Sequence, residues 1–177
     1  IKQSGGVLDG GMNELIVDGA NATWDCAIYT SGGTIKNFSK VGGAFRGIFT
    51  AGQSSDIYID NVTIDDVCYT FNSDDGNKQY GVYISNSTLN GWTSYSDVHK
   101  EVVFTNCKFG KGTGGYKYEF CRPYCVTTFE NCDFAEGYEM EPIAIVTFKN
   151  CTYNGIHITK DNYTTLVTSN AQNVRFE

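Results

Sequence analysis

The sequence predicts an all-β fold: a single-stranded parallel β-helix, or solenoid, of about six to seven coils with an asparagine ladder. Three observations carry that expectation. A short strand-like segment recurs in one frame along the chain, each copy holds an Asn in the same column, and no stretch has the 3.6-residue periodicity of an amphipathic helix.

In chain order the copies are Thr34-Ile-Lys-Asn-Phe38, Ile57-Tyr-Ile-Asp-Asn-Val-Thr-Ile64, Val82-Tyr-Ile-Ser-Asn-Ser-Thr-Leu89, Val102-Val-Phe-Thr-Asn-Cys-Lys-Phe109, Thr127-Thr-Phe-Glu-Asn-Cys-Asp-Phe134 and Val146-Thr-Phe-Lys-Asn-Cys-Thr-Tyr153. Their shared column is Asn37, Asn61, Asn86, Asn106, Asn131 and Asn150, with steps of 24, 25, 20, 25 and 19 residues. Leu15-Ile-Val-Asp-Gly19 reads as an earlier copy with Gly in place of Asn. Two residues before each Asn stands an apolar residue (Ile35, Ile59, Ile84, Phe104, Phe129, Phe148) flanked by polar ones, the alternation of a strand with one buried face. After the Asn, positions +1 and +3 are apolar again, as in Val62 and Ile64 or Cys107 and Phe109. A single residue must therefore turn the chain while both flanking strands keep a buried side. Asn tolerates the left-handed backbone such a corner demands, and its amide can hydrogen-bond the Asn one layer away.

Repeats of this length suit coils stacked about 4.8 Å apart, the spacing of strands in a sheet. A leucine-rich repeat would need its own L-x-x-L-x-L signature, and a propeller blade about twice the length. Asn72–Lys78, Asn90–Asp97 and Gly110–Tyr118 read as inserted loops, where solenoids usually add function. The β-helix is expected over 1–158. The Thr-rich segment 159–177 breaks the asparagine frame and ends in Val174-Arg-Phe176, a strand expected to cap the last coil or exchange with another chain.

A chain of 177 residues is too short for two cores and is expected to form one domain, part of a longer chain, since Ile1 opens it and no signal sequence is visible. With 41% apolar residues and apolar runs too short to span a bilayer, it reads as globular. A net charge of −7 with scattered Lys and Arg excludes nucleic acid and anionic membrane as partners. Seven cysteines leave at least one thiol unpaired, which points to folding in a reducing compartment.

The asparagine corner and the run Gly32-Gly-Thr-Ile-Lys-Asn-Phe38 through Gly43-Ala-Phe-Arg-Gly-Ile48 resemble the right-handed parallel β-helix proteins of the pectate-lyase-like superfamily. They most resemble the branch found in bacteriophage tailspikes and virion fibres, including those of gut phages. The resemblance runs from Val7 to Tyr153, with Gly5-Gly-Val-Leu-Asp-Gly10 resembling an early coil, so a capping segment is expected upstream. It implies a right-handed coil. It also implies a non-enzymatic virion appendage, a head or tail fibre or decoration module, assembled in the bacterial cytoplasm as a homotrimer with other virion proteins and binding host-surface polysaccharide. The same scaffold carries two other functions: a polysaccharide-degrading enzyme (glycosidase or lyase), phage-borne or secreted, and a bacterial surface adhesin.

For an enzyme, carboxylate pairs would act as acid and base or nucleophile. The candidates are Asp65 with Asp66, Asp74 with Asp75, and Glu139 with Glu141, and Arg46 is the one arginine placed to lie beside Asp65 or Asp66. Each has a plainer reading as a solvated turn acid or a structural ion pair, and that reading is preferred, so no catalytic residue is assigned. Asn72-Ser-Asp-Asp-Gly-Asn77 lacks the spacing and closing Glu of a calcium loop. Cys107, Cys132 and Cys151 share an inward column and read as buried hydrophobes, and Cys121-Arg-Pro-Tyr-Cys125 as a plain turn in preference to a local disulfide. His99 and His157 have no ligand spacing, and neither metal nor cofactor is expected. Trp92, Tyr95, Tyr116 and Tyr118, in the inserted segments, are the candidate ligand-binding residues, because aromatic rings stack on sugars and anchor interfaces. Six Asn-x-Ser/Thr sequons begin at Asn21, Asn37, Asn61, Asn86, Asn150 and Asn162. Four of them are ladder positions, so they read as by-products of composition.

Overall fold

The computed structural model describes residues 1–18 and 25–177, and they form a β-solenoid of about seven turns. Coil one holds β1 (Lys2–Gln3) and β2 (Val7–Ile16), coil two β3 (Cys26–Thr30) and β4 (Gly33–Gly42), coil three β5 (Arg46–Thr50) and β6 (Ile57–Ile64). Coil four holds β7 (Tyr69–Ser73), β8 (Val82–Ser85) and β9 (Thr88–Asn90). Coil five holds β10 (Trp92–Tyr95), β11 (Val102–Thr105) and β12 (Lys108–Gly110). Coil six follows with β13 (Phe120–Pro123), β14 (Thr127–Glu130) and β15 (Asp133–Phe134), and coil seven with β16 (Glu139–Met140), β17 (Val146–Lys149) and β18 (Thr152–Tyr153). The first strand of every coil joins a seven-stranded parallel sheet. The strands before and after the asparagine corner form a thirteen-stranded sheet folded at that corner.

All six corner asparagines are left-handed, with φ between 49° and 56°. That single residue places two successive side chains outside, so positions −2 and +1 both point in: Ile59 and Val62, or Phe104 and Cys107, are at most 1% exposed. The core changes character along the axis. Early coils stack Ile on Ile and later ones stack rings, with Phe104 on Phe129 at 5.0 Å and 7° and Phe109 on Phe134 at 4.8 Å and 14°.

The asparagine side chains lie on the surface, and their ladder is interrupted. Asn61, Asn106 and Asn150 donate to Asn37, Asn86 and Asn131 at 2.9, 3.2 and 2.8 Å. Asn37 and Asn86 instead donate to the carboxylates of Asp9 and Asp60, at 3.1 and 2.7 Å, because an ionised oxygen is the stronger acceptor. Of the sequons outside the ladder, Asn162 is tied to the His157 carbonyl at 2.9 Å, and Asn21 lies outside the described residues.

Three expectations need correction. The earliest copy is Val7-Leu-Asp-Gly10, whose Leu8 pairs with Ile35, while Leu15 pairs with Val41 beyond the corner. Gly11 and Met12, both at positive φ, are two extra residues that shift the register, and Gly19 lies outside the described residues. Asn72–Lys78 and Asn90–Asp97 are not simply loops: the first contains the end of β7 and the second all of β10. Cys121 and Pro123 likewise sit in a strand, β13, with Cys121 inward and Pro123 at the strand end, where a missing N–H is tolerated.

After coil seven, β19 (Ile156–His157) folds back on β18 through an Asn154-Gly155 turn at positive φ. Two short 3-10 turns follow, and β20 (Val174–Phe176) pairs in parallel with β17 of the same chain. Phe176 lies 6.2 Å from the Phe148 ring and closes the phenylalanine stack.

Candidate functional site

The outer face of the seven-stranded sheet gathers aromatic and charged side chains that meet across coils. The parallel register puts Arg46, Tyr69, Trp92, Phe120 and Glu139 in one row across coils three to seven. A second row runs Tyr29, Phe49, Asn72, Ser94 and Arg122. On β10 and β13 alternation turns these rows out and Thr93 and Cys121 in, whereas β7 carries one extra residue against β10, so Thr70 and Phe71 are both buried between Tyr69 and Asn72.

The row of rings is continuous. Phe45 meets Tyr69 edge-on at 5.5 Å, Tyr69 stacks on Trp92 at 4.8 Å, and Trp92 meets Phe120 at 5.7 Å. Guanidinium groups lie over it at both ends: Arg46 is 4.6 Å from the Phe49 ring, and Arg122 is 5.3 Å from Phe120. Each is also held by acceptors. Arg46, 4% exposed, donates through Nε to Asn72 at 2.7 Å and pairs with Asp74 at 3.6 Å, and Arg122 pairs with Glu141 at 2.6 Å. Trp92 Nε1 is buried and meets no acceptor among the described residues. A buried indole N–H without an acceptor costs about 1–3 kcal/mol.

The predicted ligand residues divide. Trp92 sits at the centre of the row, Tyr118 lies over it with ring centroids 5.6 Å apart, and Tyr116 meets Phe45 at 5.8 Å. Tyr95 is not on this face. It is 1% exposed, its hydroxyl donates to Thr127 at 2.8 Å, and burial raises its pKa well above the ordinary value. Three positions after Trp92, it falls on the inner side of the same strand. Tyr69 and Phe120 complete the row, with Arg122 of the second row and its partner Glu141 beside it, and these were not singled out together from the sequence, because only the register between coils makes them neighbours.

Asp65, Asp74 and Asp75 are spent on the backbone and on ion pairing. Asp65 Oδ1 accepts the amides of Asp66 at 2.7 Å and Thr113 at 3.0 Å. Asp66 is in the left-handed region and lies against Gly114. Asp75 accepts its neighbour Gly76, and Asp74 serves Arg46, so Arg46 is drawn to Asp74 and away from Asp65 and Asp66. Glu139 is exposed beside Phe120 in the register.

Away from this face, Cys107, Cys132 and Cys151 form the expected buried column, each thiol donating to a carbonyl of the preceding coil at 3.2 to 3.5 Å. His99 is fully buried between Gln53 and Ser73. Among the described residues no three His, Cys, Asp or Glu side chains come together as a metal site. No family model, no curated protein and no solved structure matches the chain.

Proposed function

We propose that the chain is a non-enzymatic appendage module of a virion, a stiff solenoid that displays the aromatic row of its seven-stranded sheet to a cell-surface saccharide. The observation that carries this reading is the division of labour between side chains. Of the carboxylates that hydrolysis or elimination would use, Asp65, Asp74 and Asp75 hold turns, an arm and an arginine, whereas the rings sit in an ordered row across successive coils. A polymer lying along the solenoid axis would meet an equivalent position every 4.8 Å or so.

Assembly as a homotrimer belongs to the same proposal. Tyr124, Val126, Ile143 and Ile145 are 36 to 51% exposed on the last two coils, an apolar strip suited to burial between copies.

Binding to a panel of immobilised polysaccharides, run beside a reducing-end assay on the same panel, tests the reading. Retention without turnover is expected. Turnover that disappears in Asp74→Asn would establish an enzyme instead, and a stable monomer by light scattering at micromolar concentration would count against the fibre.

A further inference from the structure

The ten residues Gly110–Glu119 leave coil five and re-enter at coil six, yet they do not stay between those coils. The segment runs back along the corner to coil three, where Thr113 N binds Asp65 and the Tyr116 ring meets Phe45. At Gly114, φ is +64°, which strains an L side chain, and a Cβ would displace the Asp66 carboxylate, so Gly favours this close approach. On its return the arm sets Tyr118 against Trp92, which is then enclosed by Tyr69 from coil four, Phe120 from coil six and Tyr118 from outside.

The arm's own fastenings are light. Backbone hydrogen bonds anchor its two ends, from Gly91 N to the Gly110 carbonyl and from Glu139 N to the Glu119 carbonyl, each at 3.0 Å. Between them, among the described residues, it is held by the Thr113 amide on Asp65, the Gly112 amide on the Tyr118 carbonyl at 2.9 Å, an ion pair between Lys111 and Glu119 at 2.8 Å, and two ring contacts. Four of its first six residues are Gly, and most of it is exposed. Such a segment opens at far lower cost than the strands beneath it. Beneath it lies the one indole of the row, whose N–H meets no acceptor among the described residues.

We propose that the arm is a displaceable strap, and that Trp92 beneath it is the principal subsite for a neutral saccharide, whose hydroxyl oxygen accepts the indole N–H when Tyr118 swings away. The saccharide half rests on the function proposed above, and the strap stands on the geometry alone. The neutral class follows from charge: both guanidiniums of the row are already committed to acidic partners, and the chain carries a net charge of −7, which repels an acidic sugar.

The test uses the full chain with Trp24→Phe, leaving Trp92 as the sole tryptophan, and adds Gly114→Ala or Tyr118→Ala in turn. Circular dichroism melts confirm that each is folded. Acrylamide quenching reads the strap without any ligand, and it should rise at least about twofold in both variants as Trp92 becomes accessible. Fluorescence titration with cellohexaose and maltohexaose, against hexagalacturonate, reads the subsite. Removing the cost of opening should tighten neutral binding about five- to tenfold in Gly114→Ala. Equal quenching in all three proteins overturns the strap. Higher quenching with unchanged affinity overturns the competition between arm and ligand. Higher quenching with no hexasaccharide bound by any form overturns the saccharide subsite and the saccharide reading above while leaving the strap established, and preference for hexagalacturonate overturns the neutral class.

Discussion

Acid should weaken this solenoid through His99. Its Nδ1 lies 2.8 Å from Gln53 Oε1, and Gln53 Nε2 donates to the Gly81 carbonyl at 3.0 Å, which fixes the amide so that Oε1 faces the ring. Nδ1 therefore carries the proton, and Nε2 accepts the Ser73 hydroxyl at 2.9 Å. These three residues come from coils three, four and five, and Cys125 of coil six adds a thiol donor to the His99 carbonyl at 3.0 Å. Burial, with a smaller contribution from Lys78, holds the His99 pKa down to about 4 from 6.5. The unfolded chain therefore takes up the proton first as pH falls, so the stability His99 contributes is complete above about pH 6.5 and drains away toward pH 4. At 1.36 kcal/mol per pKa unit the loss is about 2 kcal/mol at pH 5 and about 3 kcal/mol at pH 4. Urea unfolding of the wild type and of His99→Gln at pH 7.5, 6, 5 and 4 isolates this effect from the carboxylates that both proteins share. The wild type should be the more stable at pH 7.5, and its advantage should shrink by about 2 kcal/mol by pH 5. Parallel loss in the two proteins, or an NMR titration of His99 with its midpoint near 6.5, would refute the buried neutral network.

The corner predicts a pair of substitutions. Asn131→Ala should destabilise by about 1–2 kcal/mol through left-handed strain, and Asn131→Gly by less, with equal losses in urea unfolding ruling out backbone strain as the reason for Asn. Phe129 stacks between Phe104 and Phe148, so Phe129→Ala should cost about 3–5 kcal/mol, visible as a large drop in the urea midpoint. Burial pushes the Cys121 and Cys132 thiols up, and all seven cysteines except the half-buried Cys26 are buried. A thiol reagent should therefore label at most about one site per native chain and all seven after unfolding; rapid native labelling of Cys107, Cys132 or Cys151 would mean that the inward frame is wrong.

The asparagine column and the strand on each side of it were legible in the sequence because both are local. A left-handed φ is a property of one residue, and alternation with a period of two needs only its neighbours. The second sheet was not legible, because buried Thr and Ser share its inward positions with apolar residues and break the apolar alternation. Thr70 and Thr93, both fully buried, satisfy each other through a 2.7 Å hydroxyl contact between coils, so a strand that faces the core looks like a loop. The same parity hid the difference between Trp92 and Tyr95, two aromatics on one short strand, of which one faces out and the other in. Only the tertiary structure decides which residues meet across coils. Each coil has its own length, and a contact such as Thr113 with Asp65, 48 residues apart, depends on where the chain stands after two further turns and an arm. Short-range backbone demands thus wrote the solenoid into the sequence, while the aromatic row, its strap and the His99 network arise from the stacking register, which no single segment encodes.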